Sequence, residues 1–227
     1  QLVPFVGNNV TVTSLIIGTF LLFLAYGYKR GGLQKEGLGE RLNLNFTLSA
    51  FILGIGLSYV FIDLFFLAFA KTIHAHLLLV LSCYLFMIIA PLVYLLGQTV
   101  PITMNLLKQT STVGHLGGKV LHLSTLGSFL GATLTSLAFI HFFGVGITVF
   151  VNYVLLFLMI LALTLQLRLS WLTLIILTGF GIGIYKLNVA FENFAFIKTN
   201  NYANYAVHDN HNFYAQPGKI LDINNTP

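Results

Sequence analysis

Apolar residues along this chain come in long unbroken runs, without the alternation or narrow amphipathic stripe of a water-soluble fold. A crossing helix needs roughly 20 apolar residues. Six runs meet or approach that length: 10–28, 46–70, 73–96, about 120–143, 147–165 and 172–185. The pattern predicts an all-α integral membrane helix bundle of about six transmembrane helices. Runs two and three join through a tight turn around Lys71, forming a helical hairpin. Residues 97–118 read as a polar loop that holds Pro101 and a short amphipathic piece at 102–107. A turn at 144–146 and a junction at Arg168 separate the last three runs, with Trp171 at the position of an interfacial aromatic anchor. The sixth run is short and carries Gly179, Gly181 and Gly183.

Small residues recur at helical spacing after the polar loop. Ser124, Gly127, Ser128, Gly131 and Thr135 fall three and four apart, and no charge lies between Lys119 and Ser136. One face of that helix is nearly bare of side chains, as suits close helix packing inside a bilayer.

Beyond residue 190 the apolar runs stop. We read 1–190 as a polytopic transmembrane domain and 191–227 as a polar tail rich in Asn and Tyr. Within the tail, NYANYAVHD and ILDIN read as two strands flanking a turn at Pro217 and Gly218, which predicts a short β-hairpin. A lone hairpin is marginal in water, so it is expected to lean on further protein. The chain opens on Gln1 and is expected to be part of a longer polypeptide.

Composition agrees with the pattern: 57% of the 227 residues are hydrophobic and only 7% charged, with a mean hydropathy of +0.88. The lipid bilayer is therefore the first partner expected. A formal charge of +5 would suggest nucleic acid in a soluble protein. In a membrane protein, basic loops mainly set orientation, so no nucleic-acid partner is expected. Lys29, Arg30, Lys35 and Arg41 fill the loop at 29–41. Placing that loop in the cytoplasm also puts Lys108, Lys119 and Arg168 inside and leaves Lys71 outside; six crossings then carry both ends to the outer face. Cys83 is the single cysteine, which excludes an internal disulfide and any paired-cysteine metal site.

Asp63 is the one carboxylate inside an expected span, and facing lipid would cost at least about 2.5 kcal/mol. His74 and His76 follow just after the hairpin turn. These three form either a proton- or cation-handling cluster or a buried hydrogen bond with interfacial histidines. Gln98 and Asn105 flank Pro101, and His122 enters the fourth run; they either line a polar pocket or pair with backbone freed at the proline. No catalytic signature is present: GxSxG, HExxH and GxxxxGK[ST] are absent. The sequence names no catalytic residue, no metal site and no cofactor.

Several ordered pieces resemble the membrane part of the bacterial fused transporter/spermidine synthase-like proteins. Leu2-Val3-Pro4-Phe5-Val6-Gly7 precedes a run ending Leu24-Ala25-Tyr26-Gly27-Tyr28-Lys29-Arg30-Gly31-Gly32, like that family's "LAPxFG" and "LAxGxxxGG". Gly97-Gln98-Thr99-Val100-Pro101 and Ser124-Thr125-Leu126-Gly127-Ser128-Phe129-Leu130-Gly131 are similar to its "GxxxP" and "STxGSxxG" elements. The likeness covers most of residues 2–150. In the tail, 200–207 and 219–224 look like the opening strands of a spermidine synthase-like domain, with Ala203 where the family often has Gln and Asn224 where it has Gly. The resemblance implies a bacterial inner-membrane location and, only with a domain beyond Pro227, aminopropyltransferase-like activity.

Three functions follow as expectations. The chain is a spermidine synthase-like membrane module that anchors or handles polyamines, or a transporter half for small solutes or polyamines, or an accessory subunit docked on other membrane subunits or on its own copies. The topology is open to test: a cysteine replacing Asn210 should react with a membrane-impermeant reagent from the outer face. Labelling from the cytoplasm alone would overturn the orientation or the span count.

Overall fold

A computed structural model describes residues 9–73, 77–107, 113–168, 170–195, 198–199, 204–209 and 219–223. Its helices, in chain order, are α1 Val10–Gly32, α2 Leu38–Gly56, α3 Tyr59–Ile73, α4 Leu77–Tyr84, α5 Ala90–Gly97, α6 Thr99–Leu107, α7 Val113–Leu134, α8 Ile140–Leu167 and α9 Trp171–Ala195. Two π-helical turns, Leu85–Ile89 and Thr135–Phe139, link α4 to α5 and α7 to α8. Three short strands follow: β1 Lys198–Thr199, β2 Asn204–Asp209 and β3 Lys219–Ile223. They pair antiparallel in the order β1-β2-β3, with Val207 opposite Leu221.

Four helical stretches are long and apolar enough to cross a membrane: Val10–Gly32, Leu78–Leu107, Gly114–Leu167 and Trp171–Phe191. A fifth is a bent pair, Leu38–Gly56 with Tyr59–Phe69, whose halves meet at 64°. The chain is thus a helical membrane bundle at the coarse level. Large apolar side chains such as Leu21, Leu44, Leu48, Leu130 and Ile175 point outward. In water that arrangement would be unstable, but against lipid tails it costs nothing.

Several boundaries differ from the sequence pattern. The expected second run, 46–70, is two helices, and the first begins earlier, at Leu38, inside the expected basic loop. Residues 99–101 and 113–118, read as loop, are helical, and the amphipathic piece at 102–107 is the rest of α6. Pro101 is tolerated because it falls in the first turn of α6, where its missing N–H would have had no partner in the helix. The last helix runs on to Ala195, past the expected end at 185 and past the domain boundary at 190. The turn at 144–146 is real: Gly144 takes φ 77°, a left-handed conformation that glycine adopts without strain.

The core has two centres. Leu42, Phe46, Leu53, Ile102, Tyr153 and Ile160 belong to one built on α2, α6 and α8 and completed from α5 and α9. Val12, Ile62, Phe65, Val80 and Tyr84 belong to a second, built on α1, α3 and α4. Between α1 and α5 the contact is backbone on backbone. A Cβ on Gly27 would lie 2.6 Å from the Tyr94 carbonyl oxygen, and one on Gly31 would lie 2.8 Å from that of Gln98. These glycines four apart form the small-residue helix contact that the sequence pattern assigned to α7. At Gly127 and Gly131 an added Cβ would meet nothing within 4 Å. Gly127, Ser128 and Gly131 are exposed, and Ser124 and Thr135 are half-buried.

Gly27→Leu and Gly31→Leu should each destabilise the bundle by about 1–3 kcal/mol through overpacking, whereas Gly127→Leu and Gly131→Leu should not. Thermal unfolding of the purified variants in one detergent checks the contrast. Equal loss at all four positions would contradict the packing described.

Candidate functional site

The site begins with a discontinuity. Gly54 and Gly56 weaken the end of α2, and Ser58 stands at the position before α3, where serine often caps a helix. The Ser58 hydroxyl, however, has no partner among the described residues. The cap comes from a distant helix: Oδ1 of Asn188, on α9, accepts a 3.0 Å hydrogen bond from the Tyr59 N–H. On the other side of the break, the Tyr84 hydroxyl donates to the Gly56 carbonyl at 2.8 Å. Asn188 is fully buried and Tyr84 nearly so. The Tyr59 ring also stacks on Phe191, one turn beyond Asn188. One N–H and one C=O at the break are therefore met by side chains of other helices, as an apolar surrounding favours.

Space at the break comes from the same glycines. A side chain on Gly54 would collide with Ile184 and Phe180 of α9. One on Gly56 would collide with Ile88 of the first π-turn.

From the break back toward Leu38, α2 buries polar side chains among the apolar ones of the core and turns apolar ones outward. Asn43, Asn45 and Ser49 are buried, while Leu44, Leu48 and Ile55 are exposed. The buried face packs against α5, α6 and α8. Gln98, at the junction of α5 and α6, and Thr164 of α8 are each 2% exposed. Gly39 of α2 lies against Leu167 of α8. Asn43 Oδ1, Asn45 Nδ2, Ser49 Oγ, Gln98 Oε1, Thr99 Oγ1 and Thr164 Oγ1 are buried with no hydrogen-bond partner among the described residues. Each buried group left unpaired costs about 1–3 kcal/mol, so each calls for a partner such as a water or an ion, or for a role that repays the strain. These groups are all neutral amides and hydroxyls.

Residues singled out from sequence fare differently. Gln98 belongs to this interior, its Nε2 donating to the Tyr94 carbonyl at 3.4 Å. Asn105 acts on backbone instead: its Nδ2 donates to the carbonyls of Gly32 and Gln34 at 3.2 and 3.0 Å, closing the end of α1. His122 is exposed on α7, so these three occupy different surroundings. Asp63 lies one turn into α3 and is half-buried. His74 and His76 fall outside the described residues. No cluster of three or more His, Cys, Asp or Glu residues suited to a metal exists among the described residues. Asn188 and Tyr84 escaped the sequence reading; the only signal for Asn188 was an amide within a run of apolar residues after Tyr185.

No family model, curated protein or solved structure matches the chain.

Asn188→Ala should lower stability by about 1–3 kcal/mol, since it strands the Tyr59 N–H in the core. Tyr84→Phe should cost about 0.5–1.5 kcal/mol. Unfolding by increasing fractions of a denaturing detergent measures both. An Asn188→Ala protein as stable as the parent would refute the capping role.

Proposed function

We propose that the chain is a membrane module that carries a small polar solute through the interior beside α2. One observation bears this reading: buried N and O atoms of Asn43, Asn45, Ser49, Gln98 and Thr164 lack partners on helices whose outer faces are apolar. A helix interrupted within the bilayer is a common element of transporters, because it opens backbone and side-chain groups toward a cavity. Polyamines are the solute class that the resemblance to the spermidine synthase-like proteins implies, with Asp63, one turn into α3, as a candidate carboxylate.

On this reading the chain crosses the membrane six times. Gly114–Leu167 spans 54 residues, about 80 Å as a straight helix against a hydrocarbon core of about 30 Å, so it counts as two crossings meeting at Gly144. The loop around Lys29 and Arg41 is then cytoplasmic, and a bacterial inner membrane follows from the resemblance. A second reading, an accessory subunit, is favoured by α7, which packs on α6 and its own continuation and leaves Gly127 and Gly131 open.

The test is uptake into liposomes, using spermidine, putrescine and a panel of neutral amino acids and sugars. Ser49→Ala and Asn45→Ala should cut uptake about tenfold or more, the value of one lost hydrogen bond, with thermal stability kept or raised. Asp63→Asn should lower polyamine uptake if the carboxylate couples transport. Lower stability with unchanged uptake would reject the solute path. Absence of uptake across the panel, with a stoichiometric partner retained in mild detergent, would favour the accessory subunit.

A further inference from the structure

On the outer side of α1, away from the polar interior, a groove of about 560 Å³ runs between α1 and the first π-turn with α5. Its walls include Phe23, Tyr26, Phe86 and Tyr94, and its lining includes Lys29 and Arg30 but no carboxylate. Phe23 and Phe86 meet edge to face, with centroids 5.7 Å apart. Polarity is graded along the groove. Phe23 and Arg30 are two turns apart on α1, about 10 Å, so aromatic walls occupy one end and two exposed cations the other.

The volume lies within the range of small-molecule sites, and the opening faces the surface that lipid covers. Two cations at the end of an apolar helix match the level of lipid phosphates, and basic pockets between membrane helices hold anionic headgroups. Tyrosines at the same level suit the interface between tails and headgroups. The π-turn contributes Phe86, and such turns recur where helices form sites.

We infer that this groove binds an anionic phospholipid, its phosphate on Lys29 and Arg30 and an acyl chain along Phe23 and Phe86. The site is separate from the polar path beside α2 and does not depend on transport.

Native mass spectrometry of the full chain in mild detergent, titrated with phosphatidylglycerol, phosphatidylcholine or soluble glycerol 3-phosphate, decides the matter. The expected result is preferential retention of one phosphatidylglycerol. Joint replacement Lys29→Gln and Arg30→Gln should weaken it roughly thirtyfold, at about fivefold per cation. Phe86→Ala should weaken it without restoring phosphatidylcholine. Leu33→Glu, at an exposed position of the groove, should repel the phosphate and give the same loss if the double variant does not fold. Equal retention of phosphatidylcholine, displacement of the lipid by glycerol 3-phosphate, or undiminished binding in the folded double and Leu33→Glu variants would each overturn the assignment.

Discussion

A bilayer offers no water to backbone groups, so each N–H and C=O released where a helix breaks must find a partner within the protein. The break between α2 and α3 meets this demand with Asn188 and Tyr84, from α9 and α4. Those two bonds do more than close helix ends. They fasten the first half of the chain to its last helix and hold the two core centres together, since Tyr84 lies in one and the α2 face in the other. The bent helix is thereby a junction of four helices.

Close packing supplies the other half of the design. Gly27 and Gly31 let α1 approach α5 to backbone distance, and Asn105 closes the end of α1 from α6. The α1, α5 and α6 group is therefore tight, whereas α7 stands apart with apolar side chains such as Leu123, Phe129 and Leu130 turned outward. One chain thus combines a rigid part around the interior with a helix available to lipid or another protein.

Much of the coarse architecture was legible in the sequence, because run length and hydropathy answer to the thickness of the membrane. The starts of α1 and α9, the break at Gly144 and the junction at Arg168 follow the apolar runs closely. What escaped depends on partners far away in sequence. A Gly-x-Gly followed by Ser58 does not announce a break until Asn188 is known to reach it. The spacing of Gly127 and Gly131 is the same as that of Gly27 and Gly31, and spacing alone does not say which pair faces a neighbour. The polar interior was half visible: Gln98 stood out beside a proline, while Asn43, Asn45 and Ser49 lay near the start of an apolar run and looked like its edge. Of the other residues singled out, Asn105 serves backbone and His122 is exposed, since a residue's type does not fix which way its helix is turned.

The π-turn at Leu85–Ile89 also acts as a phase shifter. The Ala90 N–H bonds to the Leu85 carbonyl, five residues back, so one extra residue is taken up in a turn and the helix beyond it is rotated by about 100° relative to the helix before. Any inward face counted along α4 is out of step by the time it reaches Tyr94 and Gly97. The approach of Gly97 to Gly27 is tied to that offset. Over this stretch loss of one residue within Leu85–Ile89 should be absorbed by return to a regular α-helix, whereas one further inserted residue would turn the whole of α5 and leave a bulky side chain where the glycine now lies.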